Sequence, residues 1–210
     1  MLLNVRISSV YSVLENVFLK SKKIIVALTG ASGIDYGIEA IRALSSHDVE
    51  THVIISKWAK QVIEKESFNT LDDFQKLPDY MYKENDMSAA ISSSSTILDG
   101  MVVIPATVKT VSNIATANTG NLISRAADNM LKMKKPLIIG IRETPLSPGC
   151  LHNLNQLSLY GAIVLPLSPG FYHRPKSIQD LFDFISGKIL DCFNIPNDKY
   201  TRWNSVIQSE

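Results

Sequence analysis

The sequence predicts a three-layer α/β/α sandwich on a mostly parallel sheet, and three observations carry that prediction. Short apolar runs recur at Lys23–Leu28, Val49–Ile55, Gly100–Ile104, Pro136–Ile141 and Gly161–Leu167. Segments of helical period separate them. Turn-forming residues stand just past several strand ends, as in Gly30-Ala31-Ser32-Gly33. Strands that alternate with helices make right-handed crossovers, which set helices on both faces of a parallel sheet in a Rossmann- or flavodoxin-like fold.

The elements follow in order. Residues 1–22 read as an amphipathic extension, because Leu3, Ile7, Val10, Leu14 and Val17 fall on one helical face. Arg6, Glu15 and Lys20 interrupt it as a signal peptide. Residues 23–210 then form one domain, long enough to bury its own core. After the first strand and its glycine turn, Ile34–Leu44 is a helix with Ile34, Ile38 and Ile41 on one face. The second strand ends at Ser56, which is placed to cap the helix Lys57–Glu66. Residues 67–99 are polar, with Pro78 and the run Ser92–Ser95, and read as a surface excursion with one short helix. The strand Gly100–Ile104 leads to helices from Thr107 or Val108 and over Leu122–Met133. The last two strands flank a helix over Leu151–Leu159, and Ile178–Phe193 is the final helix.

Composition removes several function classes. Lys and Arg number 21 against 20 Asp and Glu, so no charge excess invites nucleic acid or an anionic membrane. No run reaches the ~18–20 apolar residues of a membrane helix. Cys150 and Cys192 make no CxxC pair, and the four histidines lack ligand spacing. A cytoplasmic protein without structural metal or disulfide is expected.

Chemistry concentrates in strings just past strand ends, where open parallel sheets bind ligands. Thr29-Gly30-Ala31-Ser32-Gly33 offers a tight turn and backbone amides at a helix start, suited to a phosphate. It is not the GxGxxG dinucleotide fingerprint, so a mononucleotide fits better. Ser56 and Thr107-Val108-Lys109-Thr110 repeat the same position. Arg142-Glu143-Thr144-Pro145 adds a bidentate fork and a proton carrier, and Phe171-Tyr172-His173-Arg174-Pro175 adds an aromatic hydroxyl. This mixture points to catalysis on a phosphorylated ligand.

With these strings the chain resembles the flavin prenyltransferase family of the UbiX type. The resemblance rests on T-G-A-S-G, Ser56, P-A-T-V-K-T, S-R-A-A-D, R-E-T-P and G-F-Y-H-R-P-K-S-I, over about residues 23–203. It implies that reduced FMN is the substrate and dimethylallyl phosphate the prenyl donor. The prenyl group joins flavin N5 and C6, and prenylated FMN passes to a UbiD-type decarboxylase. It also implies a homo-oligomer, a dodecamer with sites between subunits, and no metal. Gly30, Ala31, Ser32, Ser56, Thr107, Val108, Lys109, Thr110 and Arg142 would bind FMN. Tyr172, Lys188, Arg125 and Lys132 would hold the prenyl phosphate. Glu143 would be the acid and base, with Ser32 and Tyr172 assisting, and Phe171 and Trp203 are candidate walls. Lys188 stands where relatives often have Arg, and Ala106-Thr107 where they often have Cys-Ser. Two rivals remain. A flavin-dependent peptidyl-cysteine decarboxylase would need a His after the first turn, where this chain has Ile34-Asp35-Tyr36. A non-catalytic flavin carrier would have no need of Glu143.

Overall fold

The structure, a computed structural model, describes residues 22–203. The amphipathic extension expected over residues 1–22 therefore lies outside the described residues, apart from Lys22. The elements run β1 (Lys23–Leu28), α1 (Ile34–Ser45), β2 (Glu50–Ile55), α2 (Lys57–Glu66), α3 (Leu71–Gln75), β3 (Tyr80–Lys83), a 3-10 turn (Ala90–Ser92) and β4 (Gly100–Ala106). They continue with α4 (Val108–Ala115), α5 (Leu122–Lys132), β5 (Leu137–Ile141), α6 (Pro148–Leu159), β6 (Ile163–Pro166) and α7 (Ile178–Cys192).

The six strands pair in the order β3-β2-β1-β4-β5-β6, and every pairing is parallel. The expected three-layer sandwich is present. Alternation of side chains along each strand splits the core in two. Ile24, Val26, Leu28, Val102 and Ile104 face the layer of α1, α2 and α7. Ile25, Ala27, Met101 and Val103 face α4, α5 and α6. The central strands are apolar on both faces because both are covered, as a parallel sheet requires.

Two boundaries differ from expectation. The stretch 67–99 holds α3 and also the sixth strand, β3, rather than one short helix alone. Its four residues Tyr-Met-Tyr-Lys sit at the sheet edge and are mostly exposed, so they lack an apolar run. Phe74, Ile91 and Leu98 anchor that excursion in the core. Helix α6 begins at Pro148 rather than Leu151, because Ser147 accepts from the Cys150 amide and proline suits the first helical position.

The connection from β1 goes outward to β2, and that from β3 crosses to β4 on the other side of β1. The order of winding thus reverses between β1 and β4. A crevice opens there at the carboxyl ends of the strands.

Candidate active site

The crevice is assembled from turns that are tied to one another. Thr29, the buried residue after β1, donates through Oγ1 to the Pro105 carbonyl at 2.6 Å. The same oxygen accepts from the Thr107 amide at 2.9 Å. One hydroxyl therefore joins the exits of β1 and β4. An added Cβ at Gly30 would lie 2.4 Å from the Trp58 Cβ, so only glycine lets the first turn pass beside the start of α2. Gly33 adopts φ 83°, a left-handed conformation that glycine takes without strain. The Arg142 Nε donates to the Ser32 carbonyl at 3.1 Å, which ties the β5 exit to the same turn.

The helix starts at this edge are not equivalent. At α1 the Glu66 carboxylate accepts from the Gly33 amide at 2.5 Å and the Ile34 amide at 3.2 Å. The site suggested for a phosphate at the glycine turn already holds an anion of the protein. At α4, Thr107 accepts from the Thr110 amide at 3.2 Å and its hydroxyl contacts that of Thr110 at 2.9 Å. The amides of Val108 and Lys109 have no acceptor among the described residues, and the first turn of α4 carries no acid. Helix N-termini of this kind attract anions. Lys109 is exposed beside it. At α2, Ser56 spends its hydroxyl on the Ala59 amide at 3.0 Å. Of these helix starts, that of α4 leaves its first amides open to an anion.

Arg142 and Glu143 do not pair with each other. Arg142 turns to Ser32, while Glu143 is exposed and accepts from the Thr144 amide at 3.0 Å. Both line a cleft of about 610 Å³ between α6 and the ends of β5 and β6. The rest of the cleft is mostly apolar, with Leu146, Leu151, Leu154, Val164 and Leu167. A carboxyl group at the mouth of an apolar cleft, next to a guanidinium, can transfer a proton to an oxygen of a phosphorylated guest.

On the α7 side, Tyr172 and Lys188 belong to one aromatic cluster. Tyr172 meets Trp203 edge-on, with centroids 5.4 Å apart, and Phe184 at 6.0 Å. The Lys188 ammonium sits 4.7 Å from the Tyr200 ring centre and 5.5 Å from that of Phe184. The Tyr200 hydroxyl beside it holds the Lys188 pKa above the usual lysine value. A helical lysine would ordinarily face water; this one is held over rings. His173 stacks on Phe184 at 5.2 Å, and Arg174 takes a left-handed φ of 52°. They brace the turn. Phe171 is largely exposed.

Not every expected residue joins this group. Arg125 lies one turn into α5, on the opposite face of the sheet from Lys188 and Tyr172. Lys132 ends α5 at the amino edge of the sheet, remote from Glu143, and pairs with Asp128 at 2.8 Å. Within one chain both cations therefore stand on the opposite face of the sheet from Tyr172 and Lys188. Asp180 closes a capping box with Ser177 at the start of α7. Sequence reasoning missed Glu66, Thr29 as a tie, and Tyr200. Only Thr29 carried a signal, a hydroxyl ending an apolar strand. Among the described residues no cluster of ligands could hold a metal, and no helix is long and apolar enough to cross a membrane.

Comparisons with known proteins agree with this fold and show the family. A family model described as Flavoprotein matches residues 13–190. The flavin prenyltransferase LpdB of Lactiplantibacillus plantarum is 46% identical over 183 residues, 87% of this chain and 98% of that protein. The crystal structure of AnUbiX (PadA1) in complex with FMN and dimethylallyl pyrophosphate is 40% identical, with a TM-score of 0.86, and the match covers 88% of this chain and 98% of that one. A dodecameric FMN-dependent UbiX-like decarboxylase from Escherichia coli O157:H7 has a TM-score of 0.84 at 38% identity, with 86% and 98% covered.

Proposed function

The chain belongs to the flavin prenyltransferase family of flavoproteins, and we propose that it transfers a dimethylallyl group to N5 and C6 of reduced FMN. The observation that supports this reading most is Arg142. It reaches the Ser32 turn with one hand and lines the apolar cleft beside Glu143. This double contact supports reading the glycine turn, a cation and a proton carrier as parts of one site.

In this reading FMN is a substrate. It supplies the nucleophilic ring atoms, and the donor supplies an allylic carbon. The α4 start, with Thr107, Val108, Lys109 and Thr110, holds the flavin phosphate. Gly30, Ala31, Ser32 and Arg142 set the ring, and Ser56 fixes the neighbouring turn. Tyr172 and Lys188 bind the donor phosphate, and their charge and hydroxyl offset the negative charge that develops as the C–O bond breaks. Glu143 protonates the departing phosphate and regains the N5 proton through Ser32; it then protonates the remaining double bond, whose tertiary carbon bonds C6, and takes the C6 proton back as the ring rearomatises. Leu146, Leu154 and Leu167 exclude water from the allylic cation. Arg125 and Lys132 complete the phosphate site from a neighbouring subunit of a homo-oligomer. The product, prenylated FMN, serves a UbiD-type decarboxylase.

The test is anaerobic incubation of the full chain with reduced FMN and dimethylallyl phosphate, then with the diphosphate, followed by the mass of the released flavin. A gain of one C5H8 unit is expected. Unaltered flavin with both donors, together with tight FMN binding, would overturn the reading in favour of a flavin carrier.

A further inference from the structure

The chain after α7 does not trail away. It folds back as a strap from Asn197 to Trp203, and one side chain gathers it. The Asp191 carboxylate accepts from the Tyr200 hydroxyl at 2.7 Å. It accepts from both terminal nitrogens of Arg202, at 2.8 and 3.1 Å, and from the Asn197 side-chain Nδ2 at 2.9 Å. A bidentate guanidinium–carboxylate pair fixes orientation as well as distance. Burial works against the Asp191 charge, but the bonds from Arg202, Tyr200 and Asn197 outweigh it and hold its pKa below the usual value.

The strap is seated as well as tied. Tyr200 is 9% exposed, and its ring lies on Gly187, where an added Cβ would come within 2.5 Å of Cδ1. In this seat the ring faces the Lys188 ammonium, and the strap ends with Trp203 against Tyr172. The two side chains assigned to the donor phosphate therefore each rest on the strap, and the strap rests on Asp191.

We propose that Asp191 is a positioning residue for the prenyl donor, acting by latching the strap Asn197–Trp203 so that Tyr200 sets Lys188 and Trp203 sets Tyr172. The inference rests on the donor end of the reading above. Among the described residues, none assigned to the flavin end is bonded to Asp191 or the strap, so the two ends are separable.

Two variants test it in the full chain, Asp191→Ala and Gly187→Ala. The second keeps the Asp191 carboxylate and its pair with Arg202 but pushes the Tyr200 ring off its seat, and it favours the helix itself, since alanine outranks glycine there. Loss of an oriented charged contact is expected to raise KM for dimethylallyl phosphate about tenfold or more in both variants. The FMN dissociation constant should stay within about twofold, as expected for a site sharing no partners with the latch. The emission of Trp203, isolated by subtracting that of a Trp203→Phe variant, should shift to the red in Asp191→Ala. An unchanged donor KM in both variants, or an unshifted Trp203 emission, overturns the proposal. If the wild-type chain prenylates no flavin, the functional reading falls with the donor role. The emission then still decides the latch: a red shift upholds it and no shift removes it.

Discussion

At the scale of single residues, charge and hydrogen bonding decide roles that residue type leaves open. Glu143 is exposed at the mouth of an apolar cleft and bonds only to the Thr144 amide among the described residues. Replacing it by glutamine keeps that bond and removes the transferable proton. Glu143→Gln is therefore expected to slow prenylation about a hundred- to ten-thousand-fold while FMN still binds, read by single-turnover rates and flavin fluorescence. Asp191 yields a pH prediction with a definite sign. Its native pKa lies below the ordinary aspartate value of 3.8, so the latch contributes fully above that value. Its contribution is lost as pH falls through the lower native value. Arg202, Tyr200, Asn197 and Lys188 face the carboxylate, and Arg202 and Lys188 stay charged throughout that range. Trp203 emission should be flat from neutral pH down to about 3.8 and then approach that of Asp191→Asn, whose own emission has no such transition. Part of this layer was legible in the sequence: Ser32, Arg142 and Glu143 stand next to strand ends, and the Arg142–Ser32 bond joins two of those ends. Glu66 and Tyr200 were not legible. Each acts across 32 or 12 residues of chain on a glycine turn or a lysine, and neither spacing follows a helical or strand period.

At the scale of elements, the site depends on strand exits being held in register. The order β3-β2-β1-β4-β5-β6 separates the crossovers at β1 and β4, and Thr29 ties those two exits with one hydroxyl. Thr29→Val keeps the volume but leaves the Pro105 carbonyl and the Thr107 amide without their partner. A cost of about 1–3 kcal/mol is expected for unpaired buried polar groups. It should appear as a lower denaturant midpoint with unchanged slope. Because Thr107 heads α4, FMN affinity should fall with it, and a loss of stability with full FMN affinity would show that the tie is structural only. The sequence foretold the central strands, whose apolar runs reflect burial on both faces. It did not foretell β3, since an edge strand of four residues with polar and aromatic side chains carries no run to detect.

At the scale of the whole molecule, one chain sets the residues proposed for the site apart. Glu143, Tyr172 and Lys188 open at the carboxyl edge or the α7 face, whereas Lys132 sits at the far end of α5. Around β6 the sheet is incompletely covered: Ile163, Leu159 and Tyr160 are 37%, 71% and 55% exposed. A parallel sheet is normally covered on both faces, and an apolar patch of this kind marks an interface. If neighbouring subunits supply Lys132 to a site whose Glu143 is their partner's, two inactive variants can repair each other. Glu143→Gln and Lys132→Ala chains, each expected to be nearly inactive alone, are to be dissociated, mixed in equal amounts and reassembled. Random assembly leaves about a quarter of the sites with both native residues, because each site draws the two residues from different copies. Recovery of activity near that fraction supports a shared site. If Lys132 instead served the crevice of its own chain, no site in any mixture would hold both residues, and activity would stay at the level of the separate variants.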